Sequence, residues 1–254
     1  MNNETKEKLA RSLTAETTEL LPYLPYLLRD FWSLGSDPRI IACLAEKHGP
    51  YSKILDLGCG KGAVSVELAS RLKIPVKGID IIPEFIRFAT QKAKEHGVED
   101  LCRFVTEDIN LSVEKERDYD CVVFASVGNV LGNTAETLYR LKQTIKPGGY
   151  LIIDDAYLPE GQDIKYEYDY LTKSQWLTLF KDLGLKIAEA FQHTETNLNE
   201  EKEMAYITAR AEELMEKYPD KKTLFEGYIR SQQNEYDDLN ESLVCVIWVL
   251  RLEE

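Results

Sequence analysis

Lys53-Ile54-Leu55-Asp56-Leu57-Gly58-Cys59-Gly60-Lys61-Gly62 joins a short apolar run to a glycine-rich turn, with an aspartate near the end of the run. The next apolar run, residues 76–79, ends at Asp80. The third, residues 102–106, leads through Glu107 to Asp108. Short apolar runs alternating with helical segments predict parallel strands joined by right-handed crossovers, with helices on both faces. The spacing puts Asp56, Asp80 and Asp108 along one edge of that sheet. Beside them lies a turn whose glycines let backbone approach a ligand closely.

The alternation continues outward. Further strand-like runs cover residues 121–125, 150–153, 186–191 and 243–250. Pro83 opens a helix that His96-Gly97 closes, and Thr172 with Gln175 makes a capping box before another. Asp37-Pro38 is an N-cap followed by an N1 proline, with Gly49 as the stop. Upstream, Leu20, Leu24, Leu27, Leu28 and Phe31 fall on one helical face, with Pro22 and Pro25 near the start of that helix. Met204, Ile207, Ala211, Leu214, Met215 and Tyr218 form a second stripe. Pro219-Asp220 breaks it, and Phe225, Tyr228, Ile229, Gln232 and Tyr236 resume it. That pattern predicts an αα-hairpin inserted before the last strand. The expected organisation is a single domain over residues 1–254. It has a helical extension (1–50), an α/β core (51–193 and 241–254) and a helical insertion (194–240).

The formal net charge of -13 over 254 residues argues against binding to nucleic acid or an anionic membrane, which needs a basic surface. Cys43, Cys59, Cys102, Cys121 and Cys245 form no CxxC pair and are odd in number, so reduced thiols are expected and no metal site. Residues 1–10 show no signal-peptide pattern, and the apolar run 243–250 is too short to span a bilayer. A cytoplasmic location is expected.

The turn fits the dinucleotide fingerprint loosely, which makes a NAD(P)-dependent oxidoreductase one reading. The charges oppose it. A pyrophosphate would meet Asp56 immediately before the turn, whereas a cationic ligand is suited to that carboxylate. Asp80 is placed to accept from two ribose hydroxyls, and Asp108 from an exocyclic amine. A ligand with a ribose, an adenine, a positive centre and no phosphate fits all three.

With these residues in order, residues 53–155 resemble the core of a class I S-adenosylmethionine-dependent methyltransferase. The first motif is Asp56-Leu57-Gly58-Cys59-Gly60-Lys61-Gly62, and the second and third acids correspond to Asp80 and Asp108. Asp120-Cys121-Val122-Val123-Phe124-Ala125-Ser126 matches the fourth motif, and Lys146-Pro147-Gly148-Gly149-Tyr150-Leu151 the turn into the fifth strand. The resemblance implies a doubly wound, seven-stranded, mostly parallel sheet with an antiparallel last strand. It also implies S-adenosylmethionine as cofactor, with S-adenosylhomocysteine as product. The expected cofactor residues are Asp56, Gly58, Cys59, Gly60, Gly62, Asp80, Ile81, Asp108, Ile109 and Ser126. Cys59 and Lys61 are expected to contribute backbone only, and Asp80 to have no structural partner.

The sulfonium is already an activated leaving group, so positioning and exclusion of water are the main tasks, and no catalytic dyad is evident. Asn129 after the fourth strand, and Asp155 and Tyr157 after the fifth, are candidates to face the acceptor; Asp154-Asp155 read equally well as solvated turn acids. His48 and His96 are read as helix-end caps. His193 is read as an exposed loop residue, with the acceptor side as its alternative. The loop Ala125-Ser126-Val127-Gly128-Asn129 lacks the Asn-Pro-Pro-Tyr of methyltransferases acting on nucleic-acid or protein amines, so a small-molecule acceptor is expected. The insertion is expected to act as a lid or as a homodimer interface. A non-catalytic S-adenosylmethionine-binding protein is the non-enzyme alternative.

Overall fold

The structure, a computed structural model, describes residues 1–161, 170–193 and 200–253. The helices are α1 (Asn3–Ser12), α2 (Leu24–Leu27), α3 (Pro38–His48), α4 (Ala63–Leu72), α5 (Pro83–Glu95), α6 (Ile109–Ser112), α7 (Thr134–Lys142), α8 (Lys173–Asp182), α9 (Glu200–Lys217) and α10 (Lys222–Glu241). The strands are β1 (Ile54–Leu57), β2 (Val76–Asp80), β3 (Cys102–Thr106), β4 (Tyr119–Ala125), β5 (Ile145–Tyr157), β6 (Leu185–Gln192) and β7 (Val244–Leu252). They form one seven-stranded sheet in the order β3-β2-β1-β4-β5-β7-β6. β1 to β5 run parallel, and β7 pairs antiparallel with both β5 and β6.

All four residues of β1 are buried, as expected of a central strand covered on both faces. Side chains alternate across the sheet, so two cores result. Leu55, Leu57, Val122, Phe124 and Trp248 pack with Leu138, Leu141, Trp176 and Phe180 on one side. Ile54, Cys121, Val123 and Ile152 pack with Ile41, Val64, Val66 and Leu68 on the other. The expected helix signals hold: Asp37 caps α3, Pro83 sits at the start of α5, and Thr172 with Gln175 closes a capping box on α8.

Two expectations are corrected. The stripe from Leu20 to Phe31 is not one helix. It is a 3-10 turn at Thr18–Leu20 followed by the single turn α2, because Pro22 and Pro25 each remove an N–H that a continuous helix would need. Nor do Asp154 and Asp155 follow the fifth strand. Pairing with β7 continues from Tyr150 to Tyr157, so both acids lie inside β5 and point to opposite faces.

The stripes of α9 and α10 also find an unexpected partner. Ile207, Ala211, Leu214, Phe225 and Tyr228 pack on Ala10, Ala15, Leu20, Leu24 and Leu27. The helical extension and the insertion therefore share one apolar cluster, although some two hundred residues of chain separate them, a separation whose closure entropy grows only slowly with length. Residues 194–199, at the start of the expected insertion, lie outside the described residues.

Candidate functional site

Strand order reverses between β1 and β4, and a crevice opens there at the carboxyl ends of the strands, the usual ligand position of such sheets. Its lining includes Asp56, Gly58, Cys59, Gly60, Lys61, Asp80, Ile81, Asp108, Ile109, Ala125 and Ser126. Nine of the ten residues expected around the cofactor thus surround one cleft. Gly62 is the exception. A Cβ there would stand 2.6 Å from Ala89 Cβ, so this glycine serves helix packing behind the loop.

The turn is held by backbone geometry. Gly58, Gly60 and Gly62 all have positive φ. A Cβ on Gly58 would meet Val127 Cγ2 at 2.6 Å, so the turn after β1 sits directly against the loop after β4. Ser126, with φ of 53°, holds a left-handed conformation that few residues other than glycine adopt. Its Oγ lies 2.7 Å from Ser36 Oγ.

Each acid has a defined setting. Asp56 is buried and accepts from Ser65 Oγ at 2.5 Å. Burial pushes its carboxyl up to about 7, with the Ser65 bond opposing and the Asp80 charge assisting. Asp80 Oδ2 accepts from the Gly60 N–H (2.9 Å) and Oδ1 from the Ile82 N–H (2.8 Å). Burial dominates there too and raises it to about 6 against those bonds. The expectation that Asp80 lacks structural partners is therefore corrected: its carboxylate clamps the glycine turn to the end of β2. Asp108 caps α6 through the Asn110 N–H (2.9 Å), and Thr5 Oγ1 of α1 reaches its Oδ2 at 3.4 Å.

Lys61 corrects a second expectation, because its side chain matters. It is 4% exposed, and its Nζ donates to Leu28 O (2.5 Å) and Phe31 O (2.7 Å). Burial lowers its ammonium to about 8, with Asp30 opposing. Among the described lining residues it is the basic one, and it is turned onto carbonyls of the N-terminal segment, leaving the acids to set the cleft's charge.

The catalytic candidates are not brought into the cleft. Asn129 is exposed at the start of a 3-10 turn whose Val130 does line it. Tyr157 is buried on the Leu55–Val122 side of the sheet with Trp248 and accepts from Gln192 Nε2 at 2.7 Å. Asp155 shares that side, and burial raises its carboxyl to about 7. Asp154 is 8% exposed, not a solvated turn acid. His193 is not an exposed loop residue: its side chain is 18% exposed, with Nε2 3.7 Å from Asp154 Oδ1. His48 ends α3 but bonds Glu189 Oε2 at 2.9 Å, a cross-element contact beyond the expected dipole role.

The resemblance to the family leads one to expect the N-terminal segment around Trp32 to close over the cofactor; the part that sequence reasoning missed is the wall made by α1. Thr5, Leu9, Ser12 and Leu13 line the cleft, as do Trp32, Ser33, Leu34 and Ser36. Asn2 capping a helix with Leu9 inside it and Leu13 at its C-cap was the available signal, but two apolar residues in a polar segment mark only a weak face. Among the described residues no group of His, Cys, Asp or Glu is arranged to hold a metal ion, and no helix is long and apolar enough to cross a membrane.

Comparison with known proteins bears on this cleft. A profile of the methyltransferase domain matches residues 49–242. The uncharacterized protein YjhP of Escherichia coli is 33% identical over 151 residues, 55% of this chain and 60% of that protein. The probable cobalt-precorrin-6B C(15)-methyltransferase (decarboxylating) of Methanothermobacter thermautotrophicus is 32% identical over 148 residues, 58% of this chain and 68% of that protein. In fold, the chain superposes with a TM-score of 0.76 on a SAM-dependent methyltransferase of Geobacter sulfurreducens solved with S-adenosyl-L-homocysteine. That match covers 90% of this chain and 97% of the other at 20% identity.

Proposed function

This chain belongs to the S-adenosylmethionine-dependent methyltransferases of the class I fold, and we propose that it moves the sulfonium methyl by in-line displacement to a small-molecule acceptor. In this reading Asp80 accepts from the ribose hydroxyls, Asp108 faces the adenine amine, and the turn Gly58–Gly60 with Ser126 receives the methionine end. Asp56 supplies negative charge near the sulfonium through the turn.

One observation carries the reading: three acids and a glycine turn line one cleft whose lysine is tied to carbonyls. A NAD(P) pyrophosphate would need positive charge or free amides without a buried carboxylate behind them. A sulfonium nucleoside needs the reverse. The acceptor is read as small because the cleft is walled by α1 and by residues 32–36. The helical extension and the insertion are read together as a cap that closes over it, with a homodimer through the insertion as the alternative arrangement. The acidic net charge and five free thiols support a cytoplasmic enzyme that binds neither nucleic acid nor membrane.

Calorimetry with S-adenosylhomocysteine and with NADH tests the cofactor. Binding of the first and not the second is expected; the reverse would defeat the reading. Labelled methyl transfer from S-adenosylmethionine into a metabolite extract tests the acceptor class. Label found only in protein would overturn the small-molecule assignment.

A further inference from the structure

The wall of the cleft at Ala125 and Ser126 continues into a second polar feature. Ala125 pairs with Asp154, and the Ser126 N–H donates to Asp154 O at 3.0 Å. Asp154 and Phe191 are both opposite Ile247 of β7, so they share one face of the sheet. Two residues on, the His193 N–H donates to Cys245 O, which keeps His193 on that same face. Its ring reaches back across β7 to Asp154, at 3.7 Å. Among the described residues, Nδ1 of that ring has no hydrogen-bond partner.

We propose that His193, oriented by Asp154, takes the proton released by the methyl acceptor, and hence that the acceptor is a hydroxyl or N–H compound. The inference rests on the functional reading above. With ribose and adenine toward Asp80 and Asp108, the sulfonium lies toward Ser126, and Asp154 is the next strand beyond it. Ser36, whose Oγ contacts Ser126 Oγ, lines the cleft beside Ser126, and the charge of the next residue, Asp37, acts on His193.

The step balances. A lone pair on the acceptor oxygen or nitrogen attacks the methyl carbon. The carbon–sulfur bond breaks, and its electrons stay on sulfur as a neutral thioether. The acceptor's proton passes to Nδ1, while Nε2–H stays directed at Asp154. The imidazolium so formed is paired with that carboxylate, which contributes electrostatic stabilisation as the charge develops. A thioether or tertiary amine has no proton to give and does not need this group.

Among the described residues, the charged groups that act on His193 are Asp154 from β5 and Asp37 from the start of α3, and its N–H donates to Cys245 O of β7. Asp154 first, and Asp37 more weakly, hold the imidazole above its ordinary value, with burial opposing. A donor sulfonium nearby adds positive charge and opposes the imidazolium. Its neutral product does not.

The chain has three histidines, so the titration of each is resolvable by NMR. The experiment follows the imidazole carbons of His48, His96 and His193 in the full chain, saturated first with S-adenosylhomocysteine and then with S-adenosylmethionine. Exchanging product for donor is expected to lower the His193 midpoint by on the order of half a pH unit, leaving the other two in place. Asp154→Asn should lower the His193 midpoint in either complex, and Asp154→Glu should restore part of it. A His193 midpoint that is the same with both ligands overturns the proposal, because a base within reach of the transferred methyl must sense the sulfonium. If neither ligand binds, the functional reading falls and takes this inference with it.

Discussion

The Gly60 N–H donates to Asp80 Oδ2 at 2.9 Å, so one carboxylate both shapes the glycine turn and faces the cleft. The second oxygen is held by Ile82 N–H at 2.8 Å. On the proposed reading, binding and local folding are coupled at Asp80, and a substitution there reads out both.

Asp80→Ala should weaken S-adenosylhomocysteine binding at least about tenfold, since a tenfold change corresponds to ~1.4 kcal/mol and hydrogen bonds to charged groups contribute ~1.5–3 kcal/mol each. It should also lower thermal stability, because two loop amides lose their acceptor. Calorimetric titration and a melting scan check the two effects. Unchanged affinity with a lowered melting point would make Asp80 structural only.

Affinity should depend on pH. Burial raises Asp80 to about 6 and Asp56 to about 7 in the folded protein, and on the proposed reading the ionised forms accept from ribose and attract the sulfonium. Binding of S-adenosylmethionine should strengthen from pH 5 to pH 8. The ligand-free fold shows the opposite trend. These folded values lie above the unfolded carboxylate range near 4, so their stabilising contribution is present below that range and is lost as pH rises through 6 and 7. Affinity that is flat across this window sinks the assignment.

Asp120 has the opposite sign. It is buried, and burial alone would raise it. Lys146, both the Ser52 hydroxyl and N–H, and the Lys53 N–H hold it well below the usual carboxylate range instead. Its contribution is complete above about pH 4 and is lost as pH falls below that. Asp120→Asn should therefore flatten the acid limb of a stability–pH curve while leaving cofactor affinity unchanged.

Lys61→Met removes the donor from Leu28 O and Phe31 O while keeping an apolar stem over Phe88. Leu28 O keeps the Phe31 N–H at 3.2 Å, whereas Phe31 O loses the lysine, which costs ~1–3 kcal/mol if that carbonyl stays dry. Hydrogen exchange should rise in residues 24–36 and not in β1 or β4. Equal protection in both proteins would show that this lysine does not hold the segment.

Deleting residues 1–36 takes away a wall of the cleft and the cover over Ile207, Leu214, Phe225 and Tyr228. The expected result is weaker cofactor binding together with self-association, since a bare apolar patch of that kind promotes contact between copies. Calorimetry and light scattering measure the two. A monomer of normal affinity would contradict the cap reading.

The sequence by itself determined the alternation, the strand-end acids and the glycine turn. Those features are local: a short apolar run, a proline at a helix start or a capping pair acts within a few residues of itself. β1 therefore falls at Ile54–Leu57 as expected, and Asp56, Asp80 and Asp108 meet at one edge. Tertiary structure decided the rest. The helix signal through Leu20–Phe31 yielded to Pro22 and Pro25 once the leucines could reach α9 and α10 without it. Asp154 and Asp155 were parted by the extra pairing that β7 gives β5. His193 met Asp154 only because β7 lies between their strands. Each outcome depends on which distant face a residue must be buried against, and a stretch of sequence carries no mark of its partner across the chain.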